Sequence, residues 1–102
     1  MRVLFKEPGK DPRSLEIPNK LVPIQILVGG HIETVRINDN VVMICNEEGK
    51  LLCMEPNFFL KKLDDIIVGP VIFAGSSGDE FCSITDEEYI RIANKLRGGL
   101  QI

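Results

Sequence analysis

Apolar residues in this chain gather in short unbroken blocks between turn residues, with one clearly amphipathic segment near the C-terminal end. Val41–Cys45 has no polar interruption, the pattern of a strand covered on both faces. Ile66–Ala74 is a second such run, broken by Gly69-Pro70; because proline cannot donate to a ladder, the strand either begins at Pro70 or bulges there. Met1–Lys6 is β-prone and is stopped by Glu7-Pro8-Gly9, and Ser14–Ile17 reads as a short return strand. His31–Ile37 is rich in β-branched residues and is joined to Val41–Cys45 by Asn38-Asp39-Asn40, a three-residue hairpin loop by length and residue type. Glu47-Glu48-Gly49 then leads into Lys50–Met54, predicting a three-stranded meander that Pro56-Asn57 ends. Phe58–Leu63 has the length of a single helical turn, and Gly75-Ser76-Ser77-Gly78-Asp79 reads as a flexible polar loop.

Two segments carry helical spacing. Leu21, Ile24, Leu27 and Val28 share a face, predicting a helix from about Lys20 to Val28, capped by Gly29 or Gly30, with Pro23 tolerated in the first turn. Tyr89, Ile92, Ala93 and Leu96 form the stripe of a second helix, from about Asp86 to Leu96. Thr85 with Glu88 makes a capping box, and Asp86 and Glu87 complement the positive end of the dipole. The order predicts a single α+β domain over residues 1–102, a mostly antiparallel sheet with two helices packed on one face.

At 102 residues, 44% hydrophobic and 26% charged, the chain can bury one core, which excludes disorder and a disulfide scaffold. A net charge of −3 disfavours general nucleic-acid binding. No apolar run approaches the ~18 residues that a membrane span needs. The span before Lys6 is too short for a signal sequence, and the three cysteines form no Cys-x-x-Cys pair, so a cytosolic protein with reduced thiols is expected.

Catalytic chemistry finds little support. His31 is the single histidine; Cys45 and Cys53 lie in apolar runs and read as buried thiols, leaving Cys82 as the reachable one. Zinc from these four residues would lack a close ligand pair, and no calcium loop or P-loop ending is present. No enzyme activity, cofactor or metal is therefore expected. The better candidates are ligand-binding residues near strand ends. Asn46 and Asn57 offer donors and acceptors for a base or amide edge, Arg36 and Lys50 could answer a phosphate, and Glu48, Ser76 and Ser77 complete the set. Each asparagine could equally serve its own turn backbone.

Glu7-Pro8-Gly9-Lys10, Leu27-Val28-Gly29-Gly30 with Ile32-Glu33, Ile44–Lys50, Pro56-Asn57, Asp65-Ile66-Ile67 with Gly69, and Ile84-Thr85-Asp86-Glu87 together resemble a small family. That family is an uncharacterised domain common in phages, plasmids and conjugative elements of Gram-positive bacteria. Two departures stand out: Gly69 is followed by Pro70 where a β-branched residue is expected, and Asn57 by Phe58 where a basic residue is expected. The resemblance implies a non-enzymatic protein of the host bacterial cytosol, of a kind that counters host defence. One route is to sequester a small anionic, nucleotide-derived immune signal. The alternative is to mask a host defence or regulatory protein, using Glu47-Glu48, Asp64-Asp65 and an apolar Phe58-Phe59 patch. Phe58-Phe59-Leu60 after a polar corner also suggests a homodimer or higher oligomer.

Overall fold

The computed structural model describes all residues 1–102, as eight strands and two helices. The strands are β1 (Arg2–Lys6), β2 (Arg13–Glu16), β3 (Ile32–Asn38), β4 (Val41–Asn46), β5 (Pro56–Leu60), β6 (Asp65–Val68), β7 (Val71–Ser77) and β8 (Glu80–Cys82). The helices are α1 (Leu21–Val28) and α2 (Asp86–Gly99). The main sheet is antiparallel in the order β2-β1-β7-β4-β3, with β8 paired to the end of β7, and β5-β6 form a separate hairpin.

β4 and β7 are interior strands, so their unbroken apolar runs bury both faces, and alternate side chains sort into two cores. Met43, Cys45, Val71 and Phe73 face α2 through Ile92, Ala93 and Leu96, joined by Phe58, Leu60 and Ile67 of the small hairpin. Val3, Phe5, Ile44, Ile72 and Ala74 face Ile24 and Val28 of α1. The helices thus lie on opposite faces, correcting the expectation that they share one. A sheet whose central strands are apolar throughout leaves two faces to cover.

Local chemistry accounts for most boundaries. Gly29 caps α1 in the left-handed region at φ +84°, its N–H donating to the Gln25 carbonyl at 2.8 Å. At α2, Thr85 Oγ1 accepts the Glu88 N–H at 3.3 Å, but the Glu88 carboxylate turns to Asn38 and Arg91, so only half of the expected capping box forms.

Four further expectations are corrected. Lys50–Met54 is no strand: the backbone coils through turns, the Leu52 N–H reaches the Glu48 carbonyl at 2.9 Å, and Cys53 sits at φ +56°. Pro56-Asn57 opens a strand, since proline is compatible with a first strand residue and Asn57 takes up a register shift. Phe58–Leu60 therefore lies in β5, and the helical turn shrinks to a 3₁₀ turn at Lys61–Leu63. Finally, Ser76 and Ser77 end β7 and Gly78-Asp79 make the tight turn into β8, so the polar stretch is a hairpin.

Phe58 and Leu60 are buried, and the Phe58 ring lies 5.9 Å from that of Phe73. Of the expected apolar patch, Phe58 and Leu60 therefore belong to the core and Phe59 is half-buried. The exposed large apolar side chains are Leu21, Val22 and Ile26 on α1, Leu51 and Leu52 in the turn after β4, Leu63 and Ile66 around the small hairpin, and Ile90 and Leu100 on and after α2.

Candidate functional site

The end of β4 and the turns after it face β6 across an open cleft of about 240 Å³. Three of the sequence-predicted residues, Asn46, Glu48 and Lys50, line it together with Glu33, Cys45, Glu47 and Asp65. Asn46 is buried and holds the turn: its Oδ1 accepts the Glu48 N–H at 2.7 Å, and its Nδ2 donates to the Val28 carbonyl at 3.2 Å. Both ends of the amide are thus spent on backbone, which fixes the cleft rim against the end of α1. The Gly30 Cα closes on this amide so tightly that an added Cβ would meet Nδ2 at 3.0 Å.

The cleft is strongly acidic. Lys50 is bonded to Asp65, an interaction that holds the Asp65 carboxyl below the usual range. Glu33, Glu47 and Glu48 remain, so four carboxylates face one ammonium. With Asp65 paired to Lys50, the three remaining carboxylates disfavour an anion in the cleft, an effect that salt screens. The cleft wall includes Leu51 and Ile66, both largely exposed. Burial and the Glu33 carboxylate, 3.9 Å from Sγ, push the Cys45 thiol up to about 11. A thiol with that value is protonated at neutral pH and is a poor nucleophile.

The other sequence-predicted residues lie elsewhere. Asn57 does not line the cleft: it is buried near the start of β5, where it bonds to Lys6 Nζ and to the Lys6 and Gly69 carbonyls. Arg36 and Ser76 share a shallow depression of about 170 Å³ on β3, β7 and β8, together with Asp79 and Glu80. Ser77 is exposed at the end of β7. Cys53 is exposed rather than buried, because its segment turns instead of pairing; Cys82 is partly covered.

Sequence reasoning overlooked Glu33 as a cleft residue and Lys6 as a buried ammonium, and it placed Asp65 only in the acidic surface of the masking alternative, not beside Asn46 and Lys50. The register Glu33↔Cys45 places Glu33 beside the cleft thiol, and that pairing follows once the β3–β4 hairpin is drawn. No helix is long and apolar enough to cross a membrane.

These features define a small α+β domain with an acidic cleft whose rim is tied to the end of α1 through Asn46. The chain belongs to the family described as a domain of unknown function, DUF3846, whose model matches residues 1–97. The match spans every motif on which the resemblance rests. No curated protein and no solved structure matches the chain.

Proposed function

We propose that this domain is a non-catalytic binding module whose acidic cleft receives a cationic group of a protein partner, masking a basic surface. One observation carries this reading: four acidic residues border a pre-formed cleft with a single lysine, and that lysine is already bonded to Asp65. Exposed Leu51 and Ile66 beside the charges suit the aliphatic stem of a lysine or arginine. Phe58 and Phe59 are not the apolar component, because Phe58 is buried and Phe59 half-buried. In the setting that the sequence resemblance implies, the partner is a host defence or regulatory protein. Affinity without turnover fits a site whose thiol is held protonated and whose amide is committed to backbone.

Sequestration of a nucleotide-type signal at Asn46, Glu48 and Lys50 is less well supported, since an anion there would face the same carboxylates. The test is an array of lysine- and arginine-containing peptides against acidic and neutral controls, followed by calorimetry at low and high salt. Basic peptides should be selected, with affinity falling as salt rises and lost in Glu47→Lys/Glu48→Lys at unchanged melting temperature. Equal binding of acidic and basic peptides, or no response to the charge reversal, would overturn the reading.

A further inference from the structure

A second groove of opposite charge lies between the 3₁₀ turn after β5 and the flank of α2. One part, of about 210 Å³, is lined by Lys61, Lys62, Arg91 and Lys95 over a floor of Ile37, Leu60 and Ile102. A second part, of about 350 Å³, is again lined by Lys61, Lys95 and Ile102, with Gln101 added. No aspartate or glutamate is among the residues lining either part, in a chain whose net charge is −3, although the Glu88 carboxylate meets Asn38 and Arg91 at the rim of the first.

The placement of these cations is built by the fold. Lys61 and Lys62 are presented by a turn that Asp64 closes at φ +50°. Arg91 and Lys95 stand one helical turn apart beside the buried Ile92–Leu96 stripe. The C-terminal residues close the groove's edge: the Phe59 N–H donates to the Leu100 carbonyl and the Ile102 N–H to the Phe59 carbonyl, both at 3.0 Å. Arg91 is paired with Glu88 at 2.6 Å, and Lys62 Nζ donates to the Arg36 carbonyl. Lys61 and Lys95 form no ion pair, although they line both parts of the groove. Helix-dipole compensation accounts for neither Arg91 nor Lys95, because the basic residue in the last turn of α2 is Arg97.

We infer that this groove is a binding site for a small phosphate-bearing ligand of nucleotide type, separate from the acidic cleft. Lys61 and Lys95 meet the phosphate, the apolar floor takes the flat face of a base, and the Gln101 amide is free to hydrogen-bond to it. Lys61 and Lys95 have no ion-pair partner within the chain, and a bound dianion supplies one to both.

The experiment is titration of the full chain with inorganic pyrophosphate, nucleoside 5′-diphosphates and, as ionic-strength controls, sulfate and chloride. Calorimetry and melting temperature are the readouts. Pyrophosphate and the diphosphates should bind and raise the melting temperature where equal ionic strength of chloride does not. Lys61→Ala/Lys95→Ala should weaken binding about tenfold or more, while Glu47→Lys/Glu48→Lys leaves it unchanged, so this site and the acidic cleft stand or fall separately. Tighter binding of a diphosphate than of pyrophosphate assigns the apolar floor to the base. No shift with any phosphate probe, a shift matched by chloride, or undiminished binding in the double variant would each overturn the site. Both lysines are exposed, so a circular dichroism spectrum matching wild type is expected of the variant and rules out misfolding as the cause.

Discussion

Lys6 and Asn57, fifty-one positions apart, are bonded to each other twice. Lys6 Nζ donates to Asn57 Oδ1 at 3.0 Å, and Asn57 Nδ2 donates back to the Lys6 carbonyl at 2.9 Å. The same Nδ2 reaches the Gly69 carbonyl at 2.8 Å, and Lys6 Nζ also meets the Glu7 carbonyl at 2.8 Å. Both side chains are almost completely buried. One amide therefore ties the end of β1 to the start of β5 and to the glycine that precedes β7, joining the main sheet to the small hairpin.

Asn57→Leu should be among the most damaging polar substitutions. It removes three hydrogen bonds and leaves a buried ammonium with one carbonyl partner, a loss of about 3 kcal/mol or more. Lys6→Met removes the buried charge and should cost less. The double variant should recover part of the Asn57→Leu loss, because the orphaned charge is gone. Urea unfolding of the four proteins measures the coupling; strictly additive losses would contradict it.

The same lysine gives a pH signature. Burial lowers its folded-state value below the ordinary 10.5, with the Asp11 charge acting weakly against that. In the window between the lowered value and 10.5 the unfolded chain binds more protons, so this group adds stability as pH rises, and its cost is full below the window. Cys45 acts in the opposite sense. Its thiol is held to about 11 against an ordinary 9.0, so the unfolded chain loses the proton first and stability falls as pH rises from 9 towards 11. Comparing urea midpoints of wild type, Lys6→Met and Cys45→Ala across this range separates the two slopes.

Thiol labelling should follow burial rather than sequence context. Cys53 should react with a disulfide reagent first, Cys82 more slowly, and Cys45 only on unfolding. Prompt labelling of two or more thiols per chain together with Cys45 modification by mass spectrometry would contradict the placement.

Where sequence patterns worked and where they failed has a common physical origin. β1, the β3–β4 hairpin, α1 and α2 were legible because each carries either a long periodic stripe or a strong punctuating residue, such as Gly29 or Thr85. Lys50–Met54 misled because Leu51 and Leu52 are apolar yet exposed, so composition suggested a strand where the backbone only turns. At Pro56-Asn57 the same residue types that end a strand here begin one, and only the tertiary bond to Lys6 shows why Asn57 is buried. The acidic cleft was half legible. Asn46, Glu48 and Lys50 are neighbours in sequence, whereas Glu33 and Asp65 arrive from β3 and β6. The basic groove was not legible, because Lys61, Lys62, Arg91 and Lys95 are brought together only by the packing of α2 against the small hairpin.

Gly75 marks a point of close approach in the β7–β8 hairpin. A Cβ there would lie 2.4 Å from the Ser83 carbonyl oxygen and 2.8 Å from Cys82 Sγ, and the first contact is backbone that cannot swing away. Gly75→Ala should therefore destabilise by roughly 1–3 kcal/mol, while Gly78→Ala, with no atom within 4 Å, pays only for its left-handed φ of +62°. A melting temperature for Gly75→Ala equal to wild type would show that β8 is not held at this distance.

Self-association, if carried by an apolar surface, now falls on α1 rather than on Phe58-Phe59-Leu60. Ile26 is 74% exposed, and Leu21 and Val22 are exposed on the same short helix, while Ile24 and Val28 point into the core. Ile26→Glu should leave the unfolding free energy within about 0.5 kcal/mol, as expected of a surface position. Phe58→Glu and Leu96→Asp should instead abolish soluble expression, because each puts a charge where the wild-type side chain is at most 3% exposed. Light scattering across a concentration series then reads the surface directly: a wild-type dimer that becomes a monomer in Ile26→Glu assigns the contact to α1. A dimer that persists in Ile26→Glu and Val22→Glu alike would move it off this helix.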